Sequence, residues 1–392
     1  MATMASTHTF PTTLALFSLA AMLATGCGPK LHTEDTGAAE DTGAADDTGA
    51  ADDTGAADDT GVADDTGAAD DTGTDPTVFG VRCNDSYTIG NNEDVLPLEG
   101  CEIITGDLTI ASAGSSVTDL NALYSLREVQ GDLTMHRNWE LTTLEGLNSL
   151  QTIGGDLTLD ENPVLADLGP LANLKTIGDD LDVLLMDGLT NLDGLSGLTE
   201  IGCDLQIEEN ELLVDVSGLS GAEMSRYTAD EGGCGSPSIF VTYNPSLTNL
   251  DGLDNLTGLG SLETSHNDSL TTIDALDSLR TVTSSLTFDG NPVLESLEGL
   301  NHVTAAHRLK IRGNAALSNL DALAALVTLE HSLYSRSNDL LTDVSGLSSL
   351  DSVGGNISIY QNDLLCDGHV NDVLALTYYG SSYRVDNDGT CH

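Results

Sequence analysis

Apolar residues recur along most of this chain with a period near 24 residues, and two adjacent copies state the rule. Gly131–Gly154 reads GDLTMHRNWELTTLEGLNSLQTIG, and Gly155–Gly178 reads GDLTLDENPVLADLGPLANLKTIG. Leu, Ile or Met fills places three, five, eleven, fourteen, seventeen, twenty and twenty-three, with Asn at place eight. A fixed period with apolar residues at fixed phases marks a solenoid, in which each repeat is one coil that buries its leucines against its neighbours. The opening D-L-T-I alternates polar and apolar residues, as a short strand with one buried face requires. Stacked coils set that strand beside its copy, which predicts a parallel sheet with strands ~4.8 Å apart.

Alignment on the Asn gives Asn138, Asn162, Asn210, Asn244, Asn267, Asn291, Asn314, Asn338 and Asn362. The spacing is 23 or 24 except for a double step of 48 across Asp179–Gly202, which reads LLMDGL, and one of 34 before Asn244. Asn tolerates left-handed backbone, so it is expected at a corner, with its stacked side chains satisfying buried peptide groups. Gly154, Gly155, Gly178, Gly202, Gly354 and Gly355 are expected at the other tight bend. The L-x-G-L-x-x-L segments are too brief for stable helices, so the remaining sides are expected as strand and irregular turn. About eleven full coils follow, rising roughly 50 Å.

The phrase GDLT-x-x-x-N-x-x-L-x-x-L-x-G-L-x-x-L-x-x-I-G resembles the receptor L-domain repeat, most closely over Gly131–Gly178 and more loosely over Gly106–Gly354. The resemblance implies a mainly β fold, a leucine-rich-repeat-like right-handed parallel β-helix of the kind found in extracellular ligand-binding domains. It implies no particular ligand, because the family's contacts lie at variable positions.

Open solenoid ends expose strand edges, so caps are needed. Cys83 and Cys101 bracket the first partial coil, and Cys366 and Cys391 the last segment. There Val370, Val373, Leu374 and Thr377 follow helical spacing behind a candidate N-cap, Asp367, which predicts a lid helix. Cys203 opens one coil and Cys234 lies near the opening of the next, so stacking brings them close. Six cysteines allow about 15 pairings, of which the sequential one fits stacking best. A metal site would want C-x-x-C spacing, which is missing.

Ahead of the coils, Leu14–Leu23 has the length of a signal h-region and is too short to span a bilayer. It runs into Ala24-Thr25-Gly26-Cys27, which resembles a bacterial lipobox although Ala24 replaces the usual Leu and no basic residue precedes it. Lipidation of Cys27 would use the seventh cysteine, and Gly28 after it suggests the outer membrane. Glu34–Asp75 repeats DTGAAD with 15 carboxylates and no basic residue. Such a segment cannot bury enough to offset ordering entropy and is expected to be a disordered stalk, spanning roughly 35 Å as a coil and ~140 Å at full stretch. The chain thus divides into a lipoprotein signal (1–26), a lipidated Cys with acidic stalk (27–77), an N-terminal cap (78–105), the solenoid (106–365) and a C-terminal cap (366–392).

Charge narrows the function. With 63 acidic against 12 basic residues the formal net charge is -51, which argues against nucleic acid as a partner. Places two, four and six of each strand point outward. The second place gives Asp107, Asp132, Asp156, Asp180 and Asp204. That column is either a calcium site, with Asp156, Asp180 and Asp204 as its candidates, or a set of Asx-type bonds from each Asp to the amides of its preceding glycine turn. Asp160, Asp182 and Glu208 add charge to this face. Later coils reverse the sign with Arg308, Lys310, Arg312 and Arg336, beside Tyr334 and Tyr360 and with His307 and His331 at the strand starts. The cluster either balances the acidic coils or takes an anionic group or glycan, with Arg donors and a Tyr stacking face. Gly221–Gly235 carries the extra residues, and its Arg226 and Tyr227 are further candidates.

Polysaccharide-cleaving β-helices need paired carboxylates. Here the carboxylates sit at repeat places, and neither G-x-S-x-G nor H-E-x-x-H occurs. The reading is therefore a lipid-anchored surface binding or adhesion module without an enzyme site or bound cofactor, its ligand an extracellular protein or glycan. A polysaccharide-active enzyme and a passive envelope protein are the alternatives.

Overall fold

The computed structural model describes residues 80–112, 116–224, 235–375, 377–380 and 382–390. The chain divides between Thr74 and Asp75, and all described residues belong to the second unit. The expectations for the signal, Cys27 and the acidic repeat, and for Arg226, Tyr227, Cys234 and Cys391, lie outside the described residues.

The chain folds as a mainly β, solenoid-like stack. Fifteen strands form one parallel sheet, and seven two-residue strands form a second, from Arg82–Cys83 to Glu223–Met224. In the early coils equivalent places pair without slippage: Leu108, Leu133, Leu157, Leu181 and Leu205 succeed one another, each opposite the next. These strands bury places three and five and leave four and six half exposed, as their period-two pattern dictates. The apolar places of all coils merge into one continuous core.

The third side is made of single turns of 3-10 helix, such as Gly169–Leu171, Asp193–Leu195, Ser217–Leu219 and Ser345–Leu347. In these coils they replace the irregular turns expected from spacing, which persist around Gly146, Gly252 and Gly299. The local cause of the helical turns is an Asx turn: Asp167, Asn191, Asp215 and Asp343 each accept the amide two residues on, at 2.7, 3.0, 3.1 and 2.7 Å.

Each Asn side chain is fully buried and joins its coil to the one before. Asn162 Oδ1 accepts the Asn138 backbone N–H at 3.1 Å, while Asn162 Nδ2 donates to the Met135 carbonyl at 2.9 Å. The same pair of bonds recurs at Asn210, Asn244, Asn267, Asn291, Asn314 and Asn338. Met186 replaces Asn in one coil, yet its amide still donates to Asn210 at 3.0 Å and its sulfur accepts from Asn162 at 3.7 Å. The left-handed residue of the corner is the one before the Asn, at Arg137, Glu161, Leu185, Glu209, Tyr243 and His266, which corrects the expectation that Asn takes that conformation. The Asn is required for its amide, which no sheet partner replaces at a buried corner.

Glycine at the opposite corner serves close approach. A Cβ on Gly178 would meet the Gly154 carbonyl, and one on Gly202 the Gly178 carbonyl. Where these glycines are missing, the corner opens and the strand runs on: Ala305–Arg312 and Thr328–Arg336 span eight and nine residues, linked through a bulge.

At the first cap a disulfide joins Cys83 to Cys101 with Cα atoms 6.0 Å apart. Cys203 and Cys366 are disulfide cysteines whose partners lie outside the described residues. The predicted lid helix forms at Asp367–Val373 and buries Val370. Two features differ from expectation. Asp367 does not cap the helix but accepts the Asn387 amide at 2.9 Å, so it terminates the Asn ladder. A further strand, Tyr383–Asp386, then stacks on Ile357–Tyr360, so the sheet continues past the helix.

Asn291→Ala removes the acceptor for the Asn267 amide and the donor to the Thr264 carbonyl. The expected loss is ~2–4 kcal/mol in chemical denaturation, from two buried polar groups left unpaired. A loss below ~0.5 kcal/mol would show that the ladder is not needed.

Candidate ligand-binding face

The outward side chains of the large sheet form three columns, and their chemistry changes along the stack. Places four and six run through Asp182, Gln206, Phe240, Glu263, Thr287, Lys310 and Tyr334, and through Asp160, Leu184, Glu208, Thr242, Ser265, Asp289, Arg312, Arg336 and Tyr360.

In the early coils the second-place aspartates have a structural task. Asp132, Asp156 and Asp180 each accept the amide of the next coil's Asp at 2.9, 2.8 and 2.8 Å, and Asp204 accepts that of Ser238 at 2.6 Å. The bond runs to the following coil rather than to the preceding glycine turn. Ser238 and Ser261 continue the ladder with their hydroxyls. The calcium candidates Asp156, Asp180 and Asp204 thus each commit one oxygen to backbone, and among the described residues no His/Cys/Asp/Glu cluster is arranged to hold a metal ion.

These carboxylates crowd one another. Burial pushes Asp182 up to about 7, aided by the charges of Asp180, Asp156, Glu208 and Asp204. Burial also raises Asp180, to about 6, against the opposing hydrogen bond from the Asp204 amide.

The later coils bring the predicted cations and tyrosines together. Arg308 is exposed, and its guanidinium has no partner among the described residues. Lys310 and Arg312 share Asp289, with Nζ at 2.7 Å and a guanidinium nitrogen at 3.5 Å from the same oxygen. Tyr334 and Tyr360 meet edge to face with hydroxyls 3.1 Å apart. Burial raises the Tyr334 hydroxyl, whereas the hydrogen bond with Tyr334 and the nearby Arg336 and Arg384 lower that of Tyr360. The Tyr360 ring carries two guanidiniums, that of Arg384 at 4.0 Å and that of Arg336 at 5.4 Å from its centre. His307 and His331 sit beside the patch with ring centres 5.3 Å apart.

Two members of the patch carry no signal in the sequence. Asp289 reads as one more acid until its pairing with Lys310 and Arg312 is seen, and Arg384 sits in a cap segment outside the repeat. A third feature, Tyr243 stacked on His266 at 4.5 Å, lies on the left-handed corner column, where spacing predicts no side-chain contact.

Asp182 sets a pH dependence. Its folded value lies above the unfolded carboxylate range, so the folded chain holds more protons and stability falls as pH rises from about 4 to about 7. Asp182→Asn is expected to leave stability unchanged near pH 4 and to raise it by ~1–2 kcal/mol at pH 8, discounted for solvent screening. Equal effects at both pH values would contradict the crowding.

Comparison with known proteins agrees with the repeat. Residues 100–168 match the family model described as Receptor L domain. No curated protein matches the chain. The matched segment overlaps the two best copies of the repeat, so the chain is receptor L-domain-like, a relationship that suggests a ligand-binding module.

Proposed function

We propose that this chain is a cell-surface binding or adhesion module, lipid-anchored at Cys27 in the outer membrane and raised on its acidic repeat. The outward face of the sheet is its binding surface, and the ligand is an extracellular protein or glycan that offers an anionic group. The observation that carries this reading is the cluster of Arg308, Lys310, Arg312, Arg336 and Arg384 around Tyr334 and Tyr360, in a chain with only 12 basic residues. Charge balance accounts for Lys310 and Arg312, which Asp289 holds, and for Arg384, which pairs with Asp386. It leaves Arg308 and Arg336, neither of which meets a carboxylate among the described residues.

Binding without catalysis fits the acidic coils as well. Their second-place carboxylates accept backbone amides in coil after coil, which is a structural use.

A panel of acidic glycans and surface proteins, screened with and without calcium, tests the reading. Combined Arg308→Ala, Arg336→Ala and Tyr360→Ala is expected to weaken retention at least about tenfold, since each charge-assisted contact contributes ~1.5–3 kcal/mol. Unchanged retention of every bound species would remove the patch as the site.

A further inference from the structure

The same face carries its own complement. Consider the eight consecutive strands from Leu157–Asp160 to Thr328–Arg336. Their midpoint falls between Ile239–Thr242 and Leu262–Ser265. Three acids on one side of it answer three cations on the other, at equal distances and in the same columns, while Glu263 and Asp289 also stand on the cation side. Asp182 and Lys310 share the fourth-place column, in the second strand from each end. Asp160 and Arg336 share the sixth-place column, in the first strand from each end. Asp180 and Arg308 stand at matching second places, beside the same strands that carry Asp182 and Lys310.

We infer that the ligand of this face is a second copy of the chain, docked face to face and antiparallel about a two-fold axis that lies along the strand direction. This rests on the reading of the face as a binding surface and names its partner. A two-fold axis at the midpoint turns each column onto itself with the strand order reversed. It therefore sets Asp182 against the partner's Lys310, Asp160 against the partner's Arg336, and Asp180 against the partner's Arg308, each pair occurring twice. Only one like-charge meeting results, Glu208 with Asp289, and Asp289 is already matched by Lys310 and Arg312. None of Asp160, Asp180, Asp182 or Arg308 makes an ion pair among the described residues, so these side chains remain available to a partner.

With one more strand at each end, about ten strands at ~4.8 Å and four or five residues at ~3.3 Å give a footprint of about 700 Å². Thr242, Ser265, Thr287 and Asp289 near its middle are already buried, so the accessible part lies toward the two ends, where the charged pairs meet. Docked antiparallel, the two copies present their N-terminal caps at opposite ends, as chains held on two facing surfaces would.

The experiment is sedimentation equilibrium of the full chain carrying Cys27→Ser, which removes lipid-driven association. Wild-type face residues are expected to give a monomer–dimer equilibrium. Arg336→Glu alone and Asp160→Lys alone should each raise the dissociation constant at least about tenfold, through like charges brought together. Neither side chain accepts a buried amide, and unchanged thermal melts establish that both variants fold. An equimolar mixture of the two variants should restore dimer to within about threefold of wild type, because the introduced lysine then meets the introduced glutamate while the native Arg336 of one copy meets the native Asp160 of the other. A wild-type chain that stays monomeric up to ~200 µM, well above ordinary weak-complex dissociation constants, overturns the inference, as does a mixture that fails to associate. If the chain stays monomeric while Arg336→Glu abolishes retention of another ligand in the screen, the self-recognition falls and the binding face stands. If neither association nor retention responds, both fall.

Discussion

The structure depends on one contact, the hydrogen bond by which a buried Asn oxygen accepts the corner amide of the preceding coil. Sheet pairing satisfies the strands on either side of that corner but cannot reach the amide at the bend itself. A chain of leucine-filled coils would leave one such group unpaired per coil, each costing ~1–3 kcal/mol. The Asn closes this gap and fixes the vertical register at the same stroke. Its independence of coil length shows how local it is: the Asn210 amide donates to Asn244 at 3.1 Å across 34 residues, the same length as the bond across 24 at Asn138. Extra residues are absorbed elsewhere in the coil. Even Met186 keeps its amide in the chain of bonds, although it cannot extend a carbonyl of its own.

Because the interior and both corners are so constrained, variation is left to the outward places of the strands. This is why the chemistry of the chain is found in columns. Early coils use second-place aspartates to carry a second amide ladder, and serine takes over that task from Ser238 onward. The hand-over removes negative charge from the very face that then becomes positive. The crowded carboxylates around Asp182 and the cations around Tyr360 are thus two consequences of one arrangement, an invariant frame with a free outer surface.

Much of this is legible in the residues. The period, the buried Leu places and the stacking of Asn138 through Asn362 follow from spacing alone, because a repeated environment writes a repeated residue. The patch at Arg308, Lys310, Arg312, Arg336, Tyr334 and Tyr360 is legible for the same reason, since period-two alternation fixes which side chains share a face. Contacts that no period encodes are not legible. Spacing cannot reveal that the left-handed turn belongs to Glu161 rather than Asn162, because the residues at that corner range from Arg137 and Leu185 to Tyr243 and Ser337. Nor can it show that loss of glycine near Ala306 fuses two short strands into one. Asp367 reads as a helix cap because its true partner, Asn387, lies beyond the repeat and marks the last step of the ladder.

Native-state hydrogen exchange at the corner amides of Asn138, Met186, Asn210, Asn244, Asn267, Asn291, Asn314 and Asn338 is the most direct test. If the Asn ladder binds the coils into one cooperative stack, these amides should exchange as slowly as those of the adjoining strands and as a single class, despite lying at turns. Exchange at the rate of open loops, or protection that differs from coil to coil without relation to the ladder, would contradict it.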